Sequence, residues 1–291
     1  MADVNVDFIG VGAQKSGTTW LFDMLSEHPE VSFGEVKELN FFSKRKFFLS
    51  KDTGNYEKGL DWYRSKIDYD DSKVNGEISV DYMLDEGCAD RIKRHCPDDV
   101  KLFAVLRDPV ERAHSHYHYS NQVFDIGDDF EDCVFTYDEY LERSRYYEKL
   151  KPYFDAFEKD QIHIMFFDDL KDDPEGVLHG LESFLGVSQF TPETVDEASN
   201  KTRYPRFQAV NKAFTVFYSV KDTGFGRWLW DQAWFQAVKD EVFPRIKNWN
   251  LAEADRDPVS PEVEQRVRRA VQDDVDRLEG LLGVDLSAWK P

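Results

Sequence analysis

The sequence predicts an α/β fold in which helices cover both faces of a central parallel sheet. Candidate strands at residues 8–11, 75–79, 101–106 and 162–167 are continuous in apolar character rather than alternating, which is typical of parallel strands buried on both faces. Helical patterns lie between these strands, and such an alternation of strand and helix favours a parallel sheet. The chain has 291 residues, of which 41% are hydrophobic, so it is long enough to bury a large core. We expect one domain spanning residues 1–291.

The predicted first strand leads through a glycine-rich loop into a helix over residues 18–28, where apolar side chains recur at helical spacing. Further helices are expected at residues 139–157 and 174–185. The stretch from about residue 206 to 291 is rich in aromatic residues and is predicted to form a mainly helical C-terminal portion. Within it, Ser260 and Pro261 begin an amphipathic helix that Gly283 ends.

The net charge limits the classes of partner. The chain has 57 acidic and 37 basic residues and a formal net charge of −20. Nucleic acids and anionic membranes attract basic surfaces, so neither is expected as a partner. An acid excess of this size also fits a halophilic protein, because molar salt shortens the screening length to about 3 Å and weakens self-repulsion. The signature of that hypothesis would be a stability that rises between low salt and molar KCl.

The three cysteines, Cys88, Cys96 and Cys133, lack the spacing of a metal site or of a disulfide framework. We therefore expect free thiols, no metal centre and a reducing compartment. The first residues are acidic and lack the basic region and the following apolar region of a signal peptide. No later stretch offers about 18 uncharged apolar residues. These observations predict a cytoplasmic protein without a transmembrane segment.

The loop between the predicted first strand and helix has the composition of an anion-binding site. Residues 10–19 read GVGAQKSGTT. A loop that leads from a strand into a helix directs backbone N–H groups and the positive end of the helix dipole at an anion, and Lys15 adds a cation. The pattern is not the Walker A motif, because its lysine precedes the second glycine by two residues. It is not GxGxxG either, since Lys15 stands where the third glycine belongs.

Residues 14–21, which read QKSGTTWL, resemble the 5′-phosphosulfate-binding loop of sulfotransferases that use 3′-phosphoadenosine 5′-phosphosulfate (PAPS). The resemblance implies a P-loop-like three-layer fold, with PAPS as co-substrate and 3′-phosphoadenosine 5′-phosphate (PAP) as product. It also implies that Lys15 contacts the 5′-phosphate and the bridging oxygen. The residues of this loop that the resemblance assigns to the cofactor are Lys15, Ser16, Gly17, Thr18, Thr19 and Trp20.

A second element of that family is a strand that ends in an arginine, followed by a helix with a serine eight residues later. Residues 105–115 (VLRDPVERAHS) are similar, which places Arg107 and Ser115 at the 3′-phosphate. Independently of the family, an arginine at the carboxyl end of a strand is a rigid fork for a phosphate in the crevice where open α/β sheets bind ligands. The alternative for Arg107 is a surface ion pair with Asp108 or Glu111.

A third element is a late basic loop that closes over the 3′-phosphate and the adenine. Residues 200–206 (NKTRYPR) are similar to it, and the resemblance assigns Lys201 and Arg203 to the cofactor. A basic cluster is unusual in a chain of net charge −20, and an anionic ligand would explain it. For Lys201 alone, a solvated basic loop is the alternative.

The acceptor side resembles one branch of the family. Residues 37–42 (KELNFF) and 55–63 are similar to the carbohydrate-directed, heparan sulfate-type branch, in which a glutamate before a Phe-Phe pair is the catalytic base. This resemblance implies that Glu38 is the base. Two positions depart from the branch, since Asn40 replaces a histidine and Ile78 replaces a substrate-site lysine. Both departures weaken the case for a sulfated polysaccharide as acceptor.

Two alternatives to Glu38 as the base follow from the sequence. Glu38 could be a surface carboxylate paired with Lys37, and a histidine such as His118 could take the proton, as in the small-molecule branch of the family. His114 and His118 would share one face of a helix. No HExxH pattern or nearby ligand set supports a metal site there.

The sequence therefore predicts a sulfotransferase of the EC 2.8.2 type, which moves a sulfuryl group from PAPS to an acceptor hydroxyl or amine and requires no metal. The acceptor is expected to be a small molecule, a lipid or a carbohydrate, such as a sugar or a glycolipid. The alternatives are a kinase or NTPase of the P-loop class and a non-catalytic nucleotide-binding scaffold. The sequence neither requires nor excludes a homo-oligomer.

Overall fold

The computed structural model describes residues 3–34, 37–45, 54–67, 69–124, 129–196, 203–205, 245, 251–253 and 258–291, with the backbone alone for residues 122–124, 203–205 and 251–253. The chain divides into two compact units. The first comprises residues 1–116, 130–200 and 259–291, and the second comprises residues 117–129 and 201–258. That the whole chain forms a single domain stays a prediction.

A five-stranded parallel sheet forms the centre of the first unit. Its strands are β1 (Phe8–Gly12), β2 (Val31–Phe33), β3 (Val74–Ile78), β4 (Lys101–Leu106) and β5 (Ile162–Phe166), in the spatial order β2-β3-β1-β4-β5. Every neighbouring pair is parallel. The chain leaves β1 towards β2 and leaves β4 towards β5, in opposite directions. In sheets of this kind, that reversal opens a ligand crevice at the carboxyl ends of the two central strands.

Helices lie between the strands along the chain, as the sequence predicts. They are α1 (Thr18–Glu27), α2 (Leu60–Arg64), α3 (Cys88–His95), α4 (Pro109–Phe124), α5 (Phe130–Thr136), α6 (Glu139–Glu142), α7 (Tyr146–Ala156), α8 (Phe167–Asp172), α9 (Pro174–Leu185) and α10 (Pro261–Leu282). The four predicted strands and the helices now labelled α1, α9 and α10 are confirmed, with small shifts at their ends. β2, α2, α3, α5 and α8 were not predicted.

The single helix predicted over residues 139–157 is wrong, because α6 and α7 are separated by a break. Arg143, in the break, donates to Asp81 at 2.7 Å, and the Ser144 hydroxyl accepts a hydrogen bond from Arg112 Nε at 2.7 Å. All four side chains are buried. These inward polar contacts interrupt the helix, and hydrophobic periodicity carries no information about them.

Both faces of the sheet are covered, as predicted. Ile9 and Val11 of β1 belong to a core cluster that includes residues of α3, α7 and α10, whereas Phe8 belongs to a second cluster with residues of α1 and α9. Side chains of β4 alternate in the same way, with Leu102, Ala104 and Leu106 in the first cluster and Phe103 and Val105 in the second. Because both faces are buried, these strands appear in the sequence as continuous apolar runs.

α10 begins and ends at the residues that the sequence predicts. The Ser260 hydroxyl accepts from the N–H of Val263 at 3.3 Å, and Gly283 ends the helix with φ of 71°. Asp274, buried on α10, accepts from the N–H groups of Tyr147 and Glu148 at 2.9 and 3.0 Å. α10 therefore packs on the core and also caps the first turn of α7.

In the second unit, β6 (Arg203–Pro205) and β7 (Leu251–Glu253) form an antiparallel pair in which Arg203 lies opposite Glu253. Most of the aromatic-rich stretch predicted to be helical, between residues 206 and 258, lies outside the described residues. Among the helices that are described, none has the length and apolar character needed to cross a membrane.

Candidate active site

The loop between β1 and α1 turns sharply into the helix. Lys15 has φ of 68° and Gly17 has φ of 92°, a region that glycine adopts readily and other residues rarely do. A Cβ atom at Gly17 would lie 3.2 Å from the ring of Phe167, so this position lacks room for a side chain. The Leu21 N–H closes the first turn of α1 onto the Gly17 carbonyl at 3.2 Å. By helix geometry, the preceding N–H groups of α1 have no partner within the helix.

Two buried polar atoms of this loop have no hydrogen-bond partner among the described residues. They are Gln14 Oε1 and the Ser16 hydroxyl oxygen. A buried polar group without a partner costs about 1–3 kcal/mol, and such groups are rare in folded proteins. A ligand that accepts a hydrogen bond from Ser16 would remove that cost. The loop therefore has the donors, the helix terminus and the cation that an anionic ligand requires.

Arg107 directly follows β4 and reaches the loop. Its NH1 group donates to the Lys15 carbonyl at 3.2 Å, and its guanidinium carbon lies 4.3 Å from the centre of the Phe167 ring. Its Nε and NH2 groups donate to Glu111 at 3.2 and 2.8 Å. The structure thus brings Arg107 and Lys15 together and also contains the Glu111 ion pair that was the alternative for Arg107.

The first turn of α4 lies beside Arg107. The Asp108 carboxylate accepts from the N–H groups of Val110 and Glu111 at 2.9 and 3.0 Å and pairs with Arg268 of α10 at 3.0 Å. Asp108 is therefore the N-terminal cap of α4, and its ion-pair partner, Arg268, lies on α10. Ser115, two turns further along α4, is buried.

Glu38 lies in a second segment of unusual backbone conformation. Its φ is 64°, and that of Asn40 is 49°. Within the described part of the chain, Lys15, Glu38 and Asn40 are the non-glycine residues with positive φ. Such residues cost about 1–3 kcal/mol each and cluster at functional sites. Both residues predicted to be catalytic share this feature, which no sequence pattern indicates.

Lys37 connects Glu38 to the start of α1. Its ammonium group donates to the Thr19 hydroxyl at 3.0 Å and to the Glu38 carboxylate at 3.3 Å. The pKa of Glu38 is raised, mainly because partial burial disfavours the charged carboxylate; Lys37 opposes this shift and Asp81 adds to it. The side chain of Glu38 nevertheless keeps 38% of its surface exposed, so the carboxylate stays accessible.

A buried ion-pair network near Glu38 was not predicted from the sequence. Arg143 pairs with Asp81 at 2.7 Å and with Glu139 at 2.6 Å. Asp81 and Arg143 both act on the pKa of Glu38, in opposite directions. Glu139 and Arg143 are four residues apart, but Asp81 lies 62 residues before Arg143, so the sequence does not indicate that this carboxylate joins them.

A role for His116 was also not predicted from the sequence. This histidine is buried, and its Nδ1 atom has no hydrogen-bond partner among the described residues. Burial lowers its pKa well below the usual range, and the charges of Arg112, Arg143 and Lys15 lower it further. Burial therefore favours the neutral form of His116, which lies within electrostatic reach of Lys15. The spacing of Arg112 and His116 along α4, which puts them on one helix face, was the available signal.

The remaining predicted residues fall into three groups. Thr18 is buried at the start of α1, and Trp20 is buried in the core with its indole N–H donating to the Val195 carbonyl at 3.2 Å, so the indole ring serves packing. Lys201 lies outside the described residues, and Arg203 is described by its backbone alone. Cys88, Cys96 and Cys133 are free and buried, and the described residues include no group of His, Cys, Asp and Glu side chains arranged to hold a metal ion.

Comparison with known proteins defines the family. A sequence model of the sulfotransferase domain matches residues 5–222, which is more than half of the chain. The chain belongs to the sulfotransferase family. The matched stretch contains the loop with Lys15, the Glu38 segment, Arg107 and Ser115, and the basic residues around Arg203.

Several curated sulfotransferases are similar in sequence. The heparan sulfate glucosamine 3-O-sulfotransferase 5 of Mus musculus is 28% identical over 190 residues, which cover 61% of this chain and 52% of that protein. The bifunctional heparan sulfate N-deacetylase/N-sulfotransferase 1 of Caenorhabditis briggsae is 28% identical over 65% of this chain and 23% of that protein. The membrane-associated sulfotransferase kil1 of Dictyostelium discoideum is 23% identical over 65% of this chain and 59% of that protein. The match thus spans less than two thirds of each of these relatives.

Solved sulfotransferase structures share the fold. The crystal structure of a sulfotransferase from Alicyclobacillus acidocaldarius has a TM-score of 0.70 and 24% identity, and the match covers 98% of this chain and 99% of that one. The sulfotransferase domain of the Synechococcus PCC 7002 olefin synthase has a TM-score of 0.50 and 16% identity over 98% and 96% of the two chains. The predicted P-loop-like α/β fold is confirmed.

Proposed function

We propose that this sulfotransferase transfers the sulfuryl group of PAPS to a hydroxyl or amine of an acceptor and releases PAP. The observation that carries the proposal is the contact between Arg107 and Lys15, in which the NH1 group of Arg107 donates to the Lys15 carbonyl at 3.2 Å. The two side chains follow neighbouring strands at the crevice of the sheet. PAPS carries a 5′-phosphosulfate and a 3′-phosphate, and two such cations are what a ligand with two separate anionic groups requires.

The described residues fit this ligand. The Ser16 hydroxyl, which has no partner among the described residues, would hold the 5′-phosphosulfate together with Lys15 and the N–H groups at the start of α1 that have no partner within the helix. Arg107 and Ser115 would hold the 3′-phosphate, and Arg107 would then exchange Glu111 for the ligand. We retain Lys201 and Arg203 as further contacts on the resemblance alone.

In the proposed reaction, PAPS supplies a sulfuryl group on a phosphate leaving group. Glu38 takes the proton of the acceptor hydroxyl or amine while the acceptor atom forms its bond to sulfur. The bond between sulfur and the bridging oxygen breaks, and its electron pair stays on the 5′-phosphate of PAP. Lys15 and the N-terminus of α1 stabilise that negative charge, a role that a metal ion has in other group-transfer enzymes.

We propose a neutral sugar or glycolipid as acceptor rather than a sulfated polysaccharide. Two cations beside Glu38 are already paired within the chain, Lys37 with Glu38 and Arg143 with Asp81. Ile78 stands where the heparan sulfate-type branch has a lysine, and the net charge of −20 repels polyanions. In a screen with radiolabelled PAPS, we expect transfer to neutral glycans or glycolipids and little to heparan sulfate. Preferential labelling of heparan sulfate would contradict the proposal.

We further propose a cytoplasmic location, which the three free, buried thiols support, since disulfides are rare in reducing compartments. Fractionation of the native cells would test it. Recovery of the protein in the extracellular fraction would contradict it.

Nucleotide binding tests the proposed cofactor directly. We expect PAP to bind in calorimetry far more tightly than Mg-ATP. Arg107→Ala should weaken PAP binding about 10–10²-fold, because it removes charge-assisted hydrogen bonds, and should leave binding of 5′-AMP, which lacks the 3′-phosphate, nearly unchanged. Arg94→Ala, at an exposed position of α3, is the matched control.

Each alternative function predicts a different result. Tighter binding of Mg-ATP than of PAP would favour a kinase or NTPase. Tight PAP binding without hydrolysis of PAPS or transfer from it would favour a non-catalytic scaffold. Equal effects of Arg107→Ala on PAP and 5′-AMP would contradict the assignment of Arg107 to the 3′-phosphate.

A further inference from the structure

Glu77, on β3, is a buried carboxylate that the proposed reaction does not use. It is 3% exposed. The hydroxyls of Tyr63 and Tyr82 donate to its Oε1 atom at 2.6 and 2.8 Å, and the Ser79 hydroxyl donates to its Oε2 atom at 2.9 Å. Burying a carboxylate is costly, and burial raises the pKa of Glu77; the hydrogen bonds from the three hydroxyls oppose this shift and stabilise the ionised form.

Two of these hydroxyls also hold the segment that contains Glu38. The Ser79 hydroxyl accepts from the N–H of Asn40 at 3.0 Å, and the Tyr82 hydroxyl accepts from the N–H of Phe42 at 3.2 Å. The N–H of Glu38 itself donates to the Ile78 carbonyl at 2.9 Å. Three alternate N–H groups, those of residues 38, 40 and 42, are therefore fixed to the end of β3 and the turn that follows it.

The direction of the hydrogen bonds depends on Glu77. A hydroxyl has one hydrogen, so Ser79 and Tyr82 can present lone pairs to the loop N–H groups while each donates its hydrogen to Glu77. An ionised carboxylate only accepts hydrogen bonds and therefore fixes this arrangement. An amide at position 77 would donate to at least one of its hydroxyl partners and disturb the pattern.

We infer that Glu77 is a positioning residue for Glu38, acting through Ser79 and Tyr82. The segment that they hold contains two residues in the left-handed region, Glu38 with φ of 64° and Asn40 with φ of 49°. Such a conformation persists only where surrounding contacts enforce it. Without the two side-chain anchors, the segment relaxes and the Glu38 carboxylate moves away from the acceptor. The catalytic part of this inference rests on the proposed function; the anchoring of the segment does not.

The chain offers a matched control. Tyr63 donates to the same Glu77 oxygen as Tyr82, but among the described residues its hydroxyl has no N–H partner in the segment 37–42. Tyr63→Phe and Tyr82→Phe therefore each remove one buried hydroxyl from Glu77, and only Tyr82→Phe also releases the segment. Ser79→Ala releases it at a second point. Glu77→Gln tests the carboxylate itself.

Turnover and hydrogen exchange, measured on the full chain, test the inference. In Ser79→Ala and Tyr82→Phe we expect kcat to fall about 10–10²-fold, the usual effect of a misplaced catalytic group, with KM for PAPS and Kd for PAP within about twofold of wild type. Amide exchange in a peptide covering residues 38–42 should become at least about tenfold faster. Tyr63→Phe should keep wild-type exchange there and most of its turnover. Glu77→Gln should behave like Tyr82→Phe; should it fail to fold, the other three variants carry the test.

Three outcomes would overturn the inference. One is equal loss of kcat in Tyr63→Phe and Tyr82→Phe, which would make the network merely structural. Another is wild-type exchange and turnover in both Ser79→Ala and Tyr82→Phe. The third is a wild type that does not turn PAPS over while the variants exchange faster, which would overturn only the catalytic part of the inference and identify the proposed function as the part that failed.

Discussion

Glu38→Gln should turn over about 10²–10⁴-fold more slowly than wild type, while its affinity for PAP stays nearly unchanged. The amide has the size of the carboxylate but cannot take the acceptor proton. Lys37 can keep its hydrogen bond to the Thr19 hydroxyl, so the start of α1 should be undisturbed. Transfer of labelled sulfate at saturating acceptor, together with calorimetry with PAP, measures the two effects separately. Glu57→Gln, at an exposed position, is the control.

The pH dependence should report the same group. Glu38 must be ionised to act as a base, so kcat should fall as the pH decreases through the pKa of this carboxyl. That pKa is raised above the ordinary glutamate value of about 4.3. Asp81→Asn removes a charge that raises this pKa and should move the acid limb to lower pH. If Glu38→Gln is as active as wild type, the base assignment fails and a histidine becomes the candidate.

Lys15→Met should lower kcat by about 10²–10³, the effect of removing one preorganised donor to the leaving group. Methionine keeps the length of the side chain but cannot stabilise the charge on the 5′-phosphate oxygen. In the proposed reaction Lys15 acts mainly in the transition state, so its loss should appear in kcat more than in the affinity for PAP. Single-turnover measurements with saturating PAPS isolate that step.

Lys159→Met, on an exposed short helix, serves as the control for Lys15→Met. Lys15→Arg should recover part of the lost rate, since it restores the charge with a different shape. A Lys15→Met variant that loses PAP affinity in proportion to kcat would instead show that Lys15 contributes uniform binding.

Most of the fold could be predicted from the sequence, because strands that are buried on both faces appear as continuous apolar runs. β4, KLFAVL, has the predicted bounds, and so does α9, which is capped by Asp173 and begins at Pro174. β2 was missed because three residues are too short to show a pattern. The order of the strands depends on contacts between segments far apart in the chain, which local periodicity does not encode.

The cofactor side of the site was more predictable than the acceptor side. The loop with Lys15 and the strand before Arg107 are contiguous motifs, and the structure places them in contact. Asp81 and His116, by contrast, meet the site only through tertiary folding. The left-handed backbone of Glu38 is equally invisible in the sequence, since it is imposed by its neighbours rather than by its own preference.

The ion pair between Asp108 and Arg268 has a consequence for biosynthesis. Asp108 caps the helix that begins beside Arg107, but its cation is supplied by a residue about 160 positions later in the chain. At typical elongation rates, a ribosome needs about 10–30 s to add that many residues. The nascent chain therefore contains β1, β4 and the Lys15 loop well before Arg268 has been added, so the ion pair beside the proposed 3′-phosphate site forms late in translation.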